Sequence, residues 1–534
     1  MGNDALQRHR DPAQLLRRAQ KAQARGDDAA ATRLFEALLR HDPENFDALH
    51  GLGQVHARHR RLDTALTLVQ AALKNDRSRA DGFASLGLIF YRLRRLPQAL
   101  ASFAEGLRLD PDDVTLRNGR GVVLLELGRP DAALADFEYL LARAPDDCDT
   151  RGNYGNALLK LNRPAQALAA YDRALAARPD NAQLLTNRAV ALRRLDRPQE
   201  ARISASRALL SRPDFAEARF VEAIARLTLG DFSGWRGYEA RWAVGNLPSQ
   251  RRNFTAPRWL DGEPLAGKTV LLHAEQGFGD TLQFVRYAPL LVERGATVIL
   301  EVQRELVRLL SGLPGVAAVI ARGEALPAFD LHCPLLSLPL AFSTAPATIP
   351  AQCPYLTAPA AEVAAWRARL PCGLRSIGIA WSGDPTHDND LNRSIGLAIL
   401  APLFDIPGVN FVSLQQDVRP DDQVLVQGLP ELSCGGVPFR DFAETAAVIT
   451  ALDAVIAVDS AVAHLAGALG KPLFLLLPFA ADFRWLRERR DSPWYPSARL
   501  YRQPQFGNWE AAVAALARDL GSAVSAAKPR ELSA

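Results

Sequence analysis

A period of thirty-four residues governs the first part of this chain. Pro43, Pro111, Pro145, Pro179 and Pro213 share one register, with Arg77 at the vacant place, and Gly53, Gly87, Gly121 and Gly155 keep step. Ala31, Ala65, Ala99, Ala133, Ala167 and Ala201 follow the same beat, each trailed four positions later by Phe35, Val69, Phe103, Phe137, Tyr171 and Ala205. A small residue lets one helix approach its neighbour, the larger side chain fills the space between them, and proline stops the second helix. Such a chain is expected to fold as stacked helix pairs.

The pattern is that of tetratricopeptide repeats, six of them from about residue 12 to residue 214. A further helix from Ala216 to Leu229 and the segment GDFSGWRGYEARW read as a cap. Stacked pairs present a concave groove, whose expected work is to hold a segment of an acceptor protein. Arg61, Arg95, Arg129, Arg163 and Arg197 recur in the turn within each pair, where a cation suits the end of a helix dipole. They are read as turn residues rather than as a basic binding stripe.

A chain of 534 residues exceeds what one core supports. It has no apolar run long enough to span a bilayer, and MGNDALQRHR lacks a hydrophobic signal segment, so a cytoplasmic protein is expected. Leu6 stands where a myristoylation motif needs Ser or Thr. Cys148, Cys333, Cys353, Cys372 and Cys434 are scattered and odd in number, which suits reduced thiols. The histidines form no ligand-spaced cluster, so no metal is expected. A formal net charge of +4 is too mild to point to nucleic acid.

After residue 245 the period changes. KTVLLH and ATVILEV are short β-rich runs separated by a helical stretch from Thr281 to Arg294, and RSIGIAWS, VNFVSLQ, DAVIAVD and PLFLLLP repeat the rhythm. Strands alternating with helices predict parallel sheets. Pro and Ala between Phe342 and Pro371 suggest a break between two Rossmann-like halves. The expected layout is repeats with capping helix over 12–245, a linker over 246–266, one Rossmann-like half over 267–370, a second over 371–505, and a closing helix with a disordered tail over 506–534.

Ligands of open parallel sheets bind beyond the carboxyl ends of the strands. AEQGFGD, SGDPTHDNDLNRS, Gln416, DSAVAHLAG and FAADFRW all stand at such ends. Polar and permissive residues thus gather at one edge of both sheets, as a cleft between facing halves requires.

GFGDTLQF followed some 180 residues later by DSAVAHLAGALGKP resembles the bacterial heptosyltransferase-type glycosyltransferases, which adopt the two-domain GT-B fold. The likeness covers about residues 267 to 520. With repeats in front, the domain order is also similar to that of protein O-glycosyltransferases, including bacterial flagellin-modifying enzymes. The resemblance implies an inverting, metal-independent transfer from a nucleotide sugar, without a resident cofactor, to a hydroxyl of a protein held by the repeats, such as flagellin or another surface protein before export. A chain lacking residues 1 to 240 is then expected to keep slow donor hydrolysis while losing protein modification.

The same resemblance places Asp280 as general base, with Gln276, Gly277 and Gly279 forming the acceptor-side loop. The glycines are expected to allow a sharp turn and the approach of a sugar ring. The alternative for Asp280 is the N-cap of a helix beginning at Thr281. Ser460, Ala461 and Val462 would offer a hydroxyl and free helix N–H groups to a pyrophosphate. The family's usual glycine after the hydroxyl residue is Ala461 here. Asp459 would contact the sugar or a loop partner, and His464 would reach a phosphate, hold the loop, or simply pack. Arg393 stands where the family places a phosphate-binding lysine, and Gln415 would read a base or ribose edge. The alternative for Arg393 is an ion pair with Asp388 or Asp390.

Two further stretches are read as structural. Asp388 to Asp390 is taken as a solvated loop rather than a metal site, and FRWLRERR as a helix that packs Trp485 and Leu486 inward with its arginines in water. A non-catalytic repeat scaffold or nucleotide-sugar sensor, and a lipopolysaccharide-type transferase, are the rival functional readings.

Overall fold

The computed structural model describes residues 11–245, 251–260, 263–387, 389–429, 432–433 and 439–526. Asp388, Cys434 and the tail 527–534 lie outside the described residues, as do 246–250, 261 and 262 of the expected linker. The chain forms two compact units that divide between Pro179 and Asp180.

The first unit holds five helix pairs: Pro12–Ala24 with Asp28–His41, Phe46–Arg58 with Leu62–Asn75, Ala80–Arg92 with Leu96–Leu109, Val114–Glu126 with Pro130–Arg143, and Cys148–Lys160 with Pro164–Ala177. The periodic residues act as their spacing requires. A Cβ on Gly87, Gly121 or Gly155 would stand 2.6 Å from the ring of Phe103, Phe137 or Tyr171 respectively, so only glycine lets these helices close. The periodic alanines and their partner side chains are fully buried. Asn45, Asp113 and Asp147 cap the first helices of their pairs through side-chain oxygens. In the turns, Arg60, Arg94, Gly128 and Asn162 take positive φ. The next residue, Arg61, Arg95, Arg129 or Arg163, donates its N–H to the carbonyl five places back. The recurrent arginines therefore close helices through their backbone.

The second unit opens with Ala182–Arg194, Pro198–Ser211, Ala216–Thr228 and the short turns Gly234–Tyr238 and Glu239–Ala243. Two sheets follow. The first comprises β1 (Thr269–His273), β2 (Thr297–Val302), β3 (Val316–Ala321) and β4 (Leu331–Pro334), in the order β3-β2-β1-β4. The second comprises β5 (Arg375–Ala380), β6 (Val409–Ser413), β7 (Leu432–Ser433), β8 (Ala454–Val458), β9 (Leu473–Leu477) and β10 (Ala498–Arg502), in the order β10-β9-β8-β5-β6-β7. Every ladder among the described residues is parallel. The order in which strands are added reverses once in each sheet, beside β1 in the first and β5 in the second. Those are the places where such sheets bind ligands.

The fold is therefore a helical repeat array followed by two Rossmann-like parallel sheets. The helix expected near the carboxyl end is Trp509–Ala526, which extends into the stretch expected to be disordered.

The cap does not stand apart from the sheets. Trp235 meets Phe284 at 6.0 Å and Phe483 at 5.5 Å between ring centres, and Tyr238 meets Phe483 at 5.9 Å. These rings share one core with both sheets. A cut near residue 240 would remove part of that core, so the expected independence of residues beyond 240 is corrected to a boundary at Pro179.

Candidate active site

The loop leaving β1 turns directly into the helix Phe278–Phe284. Its N-cap is Gly277, so Asp280 sits in the first turn, three residues inside the helix, and not at a cap before Thr281. One carboxylate oxygen accepts the Gly277 N–H at 3.0 Å. The other accepts from Arg484, which lies beyond β9 in the second sheet. The Gln276 carbonyl accepts from Gln303 at 2.8 Å, and Gln303 also accepts the Thr281 hydroxyl at 2.9 Å, so the end of β2 braces the loop.

Gly277 has an ordinary φ of −71°. The sharp-turn role expected of the two glycines is not needed here. Gly279 is small for a different reason: a Cβ there would stand 2.7 Å from Cδ2 of His464. The space expected to admit a sugar ring at this point holds the His464 imidazole.

His464 belongs to the helix Ala461–Ala468, which leaves β8 after Asp459 and Ser460. Its ring stacks on Trp485 at 5.4 Å between centres, and Nδ1 hydrogen-bonds the Tyr495 hydroxyl at 2.9 Å. Burial, with Arg484 nearby, lowers its pKa to about 3. A buried, neutral, doubly held imidazole packs the two sheet lobes together, which is the packing alternative left open for His464 and not the phosphate contact.

Ser460 is the N-cap of this helix, yet its hydroxyl makes no capping bond. The Oγ is buried without a hydrogen-bond partner among the described residues. The N–H groups of Ala461 and Val462 open the helix without intrahelical acceptors. Arg393 donates to the Asp459 carbonyl at 3.2 Å, and its guanidinium lies so close to Gly383 that a Cβ there would be 2.6 Å from Nη2. Its Nε is 3.7 Å from Asp390. Arg393, Asp459 and Ser460 are thus brought together at the carboxyl ends of the adjacent strands β5 and β8.

Three carboxylates converge here. Asp280 is held above its ordinary pKa by burial, against the pull of Arg484. Asp459 is pushed up to about 6 by burial and by the neighbouring Asp482. Asp482 faces the same cost of burial, but Arg484 overrides it and holds this carboxyl below its usual range. Arg484 donates to Asp482 at 2.8 Å and to Gln283 at 2.7 Å in addition to Asp280. The expectation that the arginines of FRWLRERR face water fails for Arg484, which is only 8% exposed. The segment is a single short turn, Phe483–Trp485, not a longer helix. A buried guanidinium needs carboxylate partners, and the pattern D-x-R five residues beyond an apolar strand, with Phe483 and Trp485 beside the arginine, was the signal for it.

Two other expectations are corrected. Gln415 does not offer its amide to a ligand. Its Oε1 accepts the N–H groups of Trp381 and Ser382, and its Nε2 donates to the carbonyls of Ser382 and Asp417, all within 3.2 Å. With every polar atom committed, it shapes the loop after β5. Asp390 is buried rather than solvated, accepting from Ser394 at 2.6 Å and from Arg419.

Glu275, in the loop after β1, carries no motif that marks its role. It receives a bidentate grip from the fully buried Arg241 of the cap, at 3.0 and 2.9 Å. Glu239 and Ser337 complete that network. The cap thereby anchors the residue just ahead of the Asp280 loop.

Tetratricopeptide-repeat families match residues 16–80, 85–147 and 124–186, and glycosyltransferase family 9 (heptosyltransferase) matches residues 423–477, the stretch that holds β8, Ser460, His464 and β9. Tetratricopeptide repeats thus precede a stretch similar to glycosyltransferase family 9. Protein FlbA of Caulobacter vibrioides is 28% identical over 330 residues, which cover 57% of this chain and 54% of that protein. The chain thus spans about half the length of that curated relative. Among solved structures, a tetratricopeptide repeat protein from Parabacteroides merdae aligns with a TM-score of 0.38 at 16% identity, over 44% of this chain and 93% of that one. A thermophilic repeat protein from Thermus thermophilus aligns with a TM-score of 0.30 at 27% identity, over 34% of this chain and 99% of that one. No helix among the described residues is long and apolar enough to cross a membrane.

Proposed function

We propose that this protein transfers a sugar from a nucleotide sugar to a hydroxyl group, with inversion at the anomeric carbon and without a metal. The acceptor oxygen forms the new bond to the anomeric carbon while the bond from that carbon to the diphosphate oxygen breaks. Asp280 takes the hydroxyl proton, and the nucleoside diphosphate leaves toward Ser460, the N–H groups of Ala461 and Val462, and Arg393. A carboxylate has about four lone-pair positions, and two are engaged by Gly277 and Arg484, which leaves room for an acceptor proton.

The observation that carries this reading is the close approach of the Asp280 helix to the Ser460 helix, with Gly279 against His464. It sets an acid from one sheet beside an amide-rich helix start from the other. The orphaned Ser460 hydroxyl adds a donor that awaits an acceptor. Asp459, beside it, suits a contact to the sugar hydroxyls.

The acceptor in this reading is a Ser or Thr of a protein held by the repeats, in the cytoplasm, with flagellin or another surface protein before export as the type of substrate. Purified full-length chain is to be titrated with a panel of nucleotide sugars by calorimetry, and proteins co-purifying with it weighed intact with and without the gene. Binding of one nucleotide sugar together with a hexose- or heptose-sized mass increment on a partner supports the reading. Binding of none, or an increment that persists in Asp280→Asn, sinks it.

A further inference from the structure

Arg484 has no place in the transfer scheme above, although it makes the most direct contact with Asp280. The two residues come from different sheets: Asp280 follows β1 and Arg484 follows β9. The guanidinium grips the Asp280 helix at two points one turn apart, the Asp280 carboxylate and the Gln283 amide oxygen. Its third arm goes to Asp482, which also accepts the Arg484 N–H at 3.0 Å. The rings of Phe483 and Phe284 lie 4.6 and 5.6 Å from the guanidinium carbon and exclude water.

The segment that carries Arg484 is itself held on several sides. Arg502 donates to the Trp485 carbonyl at 2.7 Å. Arg487 pairs with Asp196, in the turn between Ala182–Arg194 and Pro198–Ser211, at 3.0 Å. Leu486 takes a left-handed backbone at φ 51°, a conformation that a branched side chain adopts only when its surroundings impose it. Arg484 is therefore presented to Asp280 by a fixed support, not by a loose loop.

We propose that Arg484 is a positioning residue for the reaction: reaching over from the second sheet, it orients the Asp280 carboxylate and keeps it charged, so that the base is competent only while the two sheet lobes are together. The inference rests on Asp280 being the base. The groups that face Asp280 are few. Arg484 favours its charged form, and His387 acts in the same direction. Asp482 and Glu275 oppose it, from beyond β9 and from the β1 loop. His464 on the adjoining helix is neutral, and Asp459 lies beyond it, 3.9 Å from its Nε2. Tyr238 of the cap is uncharged, its hydroxyl pushed far up by burial. Arg484 is thus the one cation among these that touches the carboxylate.

The test uses the full-length protein and reads Asp280 directly, by infrared difference spectra between the chain and its Asp280→Asn variant across pH. The same difference is taken in an Arg484→Gln background. Loss of the guanidinium is expected to raise the Asp280 midpoint by roughly 1–3 pH units. The acidic limb of the kcat profile should rise by the same amount, with the donor KM changed less than about twofold. Arg484→Lys should restore part of the shift. Arg484→Lys and Gln283→Ala, which keep a cation at the site, serve if Arg484→Gln does not fold. In that case the Asp280 midpoint should rise in Arg484→Lys, whose single ammonium cannot reproduce the two-point grip.

An unchanged Asp280 midpoint in a folded Arg484 variant overturns the proposal, as does a fall in kcat with the acidic limb in place, which is what a merely structural arginine gives. The two readings fail separately. A shifted midpoint with turnover intact in Asp280→Asn removes the base and leaves the clamp. A fixed midpoint with turnover lost in Asp280→Asn leaves the base and removes the clamp.

Discussion

Asp280 and Arg484 stand 204 positions apart in the chain and meet in one ion pair, the carboxylate from the β1 loop and the guanidinium from beyond β9. This pairing makes Asp280→Ala a poor probe, because alanine leaves Arg484 with a single carboxylate in a buried site. Asp280→Asn is better. It keeps an oxygen for Arg484 but turns an amide N–H toward Gly277, at a cost of roughly 1–3 kcal/mol. Transfer should fall on the order of 10²- to 10⁴-fold while the thermal transition persists. A variant that melts normally and turns over normally excludes Asp280 as the base.

The two glycines of the acceptor-side loop should respond in opposite ways. A Cβ on Gly279 stands 2.7 Å from His464, whose ring is backed by Trp485 and has nowhere to go. Gly279→Ala is expected to cost about 1–3 kcal/mol by overpacking and to suppress transfer. On Gly277 a Cβ meets only a carboxylate oxygen at 3.6 Å, and φ is ordinary. Gly277→Ala should change stability by less than about 0.5 kcal/mol. Denaturant titration of both variants separates close approach from backbone freedom; equal effects would contradict the packing of Gly279 on His464.

Burial of a neutral His464 makes stability fall with acid. Its folded pKa, lowered to about 3, lies below the unfolded value near 6.5, so the unfolded chain takes up the proton first. The contribution is complete above about pH 6.5 and is lost as pH drops toward 3, at up to ~1.4 kcal/mol per pH unit. His464→Asn should therefore reduce the stability lost between pH 6.5 and 5 by about 2 kcal/mol. His273, lowered to about 3 mainly by burial, adds a slope of the same sign in both chains. Asp459, raised to about 6, acts with the opposite sign, because its buried charge is relieved as pH falls through that value. Comparing the two chains at each pH removes the His273 term, while Asp459, 3.9 Å from the His464 Nε2, acts against the slope and is compared at pH values below 6. An identical slope would mean that His464 is charged or solvated.

Local chemistry was legible in the sequence, and long-range pairing was not. The repeat register named the buried alanines and rings one by one, because a fixed period forces each into the same place in its pair. The apolar runs gave β1, β2, β5, β6, β8 and β9, and the polar residues after them marked the ligand edge. β3, β4, β7 and β10 were missed: LHCP runs into the apolar LLSLPLAF without contrast, Leu432–Ser433 is two residues long, and VAAVIA and ARLYR are short. Asp280 and Ser460 stood out by their strand-end positions. Arg484 did not, since its meaning comes from Asp280 two hundred residues away, and a run of arginines looks solvated until a buried acid is found for one of them. His464 shows the converse: a polar residue at a ligand edge left open between contact and packing, which its neighbours Trp485 and Tyr495 decide as packing.

The boundary between binding and chemistry lies earlier than the end of the repeats. Trp235 and Tyr238 pack on Phe284 and Phe483, Arg241 grips Glu275, and Asp196 holds Arg487, so residues from the last repeat pair onward support both loops of the candidate site. A chain beginning at Asp180 keeps all of these contacts and should melt cooperatively, bind the nucleotide sugar and hydrolyse it slowly. A chain beginning after residue 240 loses three buried rings of the shared core, Phe232, Trp235 and Tyr238, at about 3–5 kcal/mol for each, and should be aggregated or unfolded. Circular dichroism melts and donor hydrolysis of the two truncations are the measurements. If the shorter chain folds and hydrolyses donor as well as the longer one, the cap is dispensable and its aromatic contacts do not hold the site together. If the chain from Asp180 folds and still modifies an intact acceptor protein at the full-length rate, the five preceding helix pairs are not what brings the acceptor to Asp280.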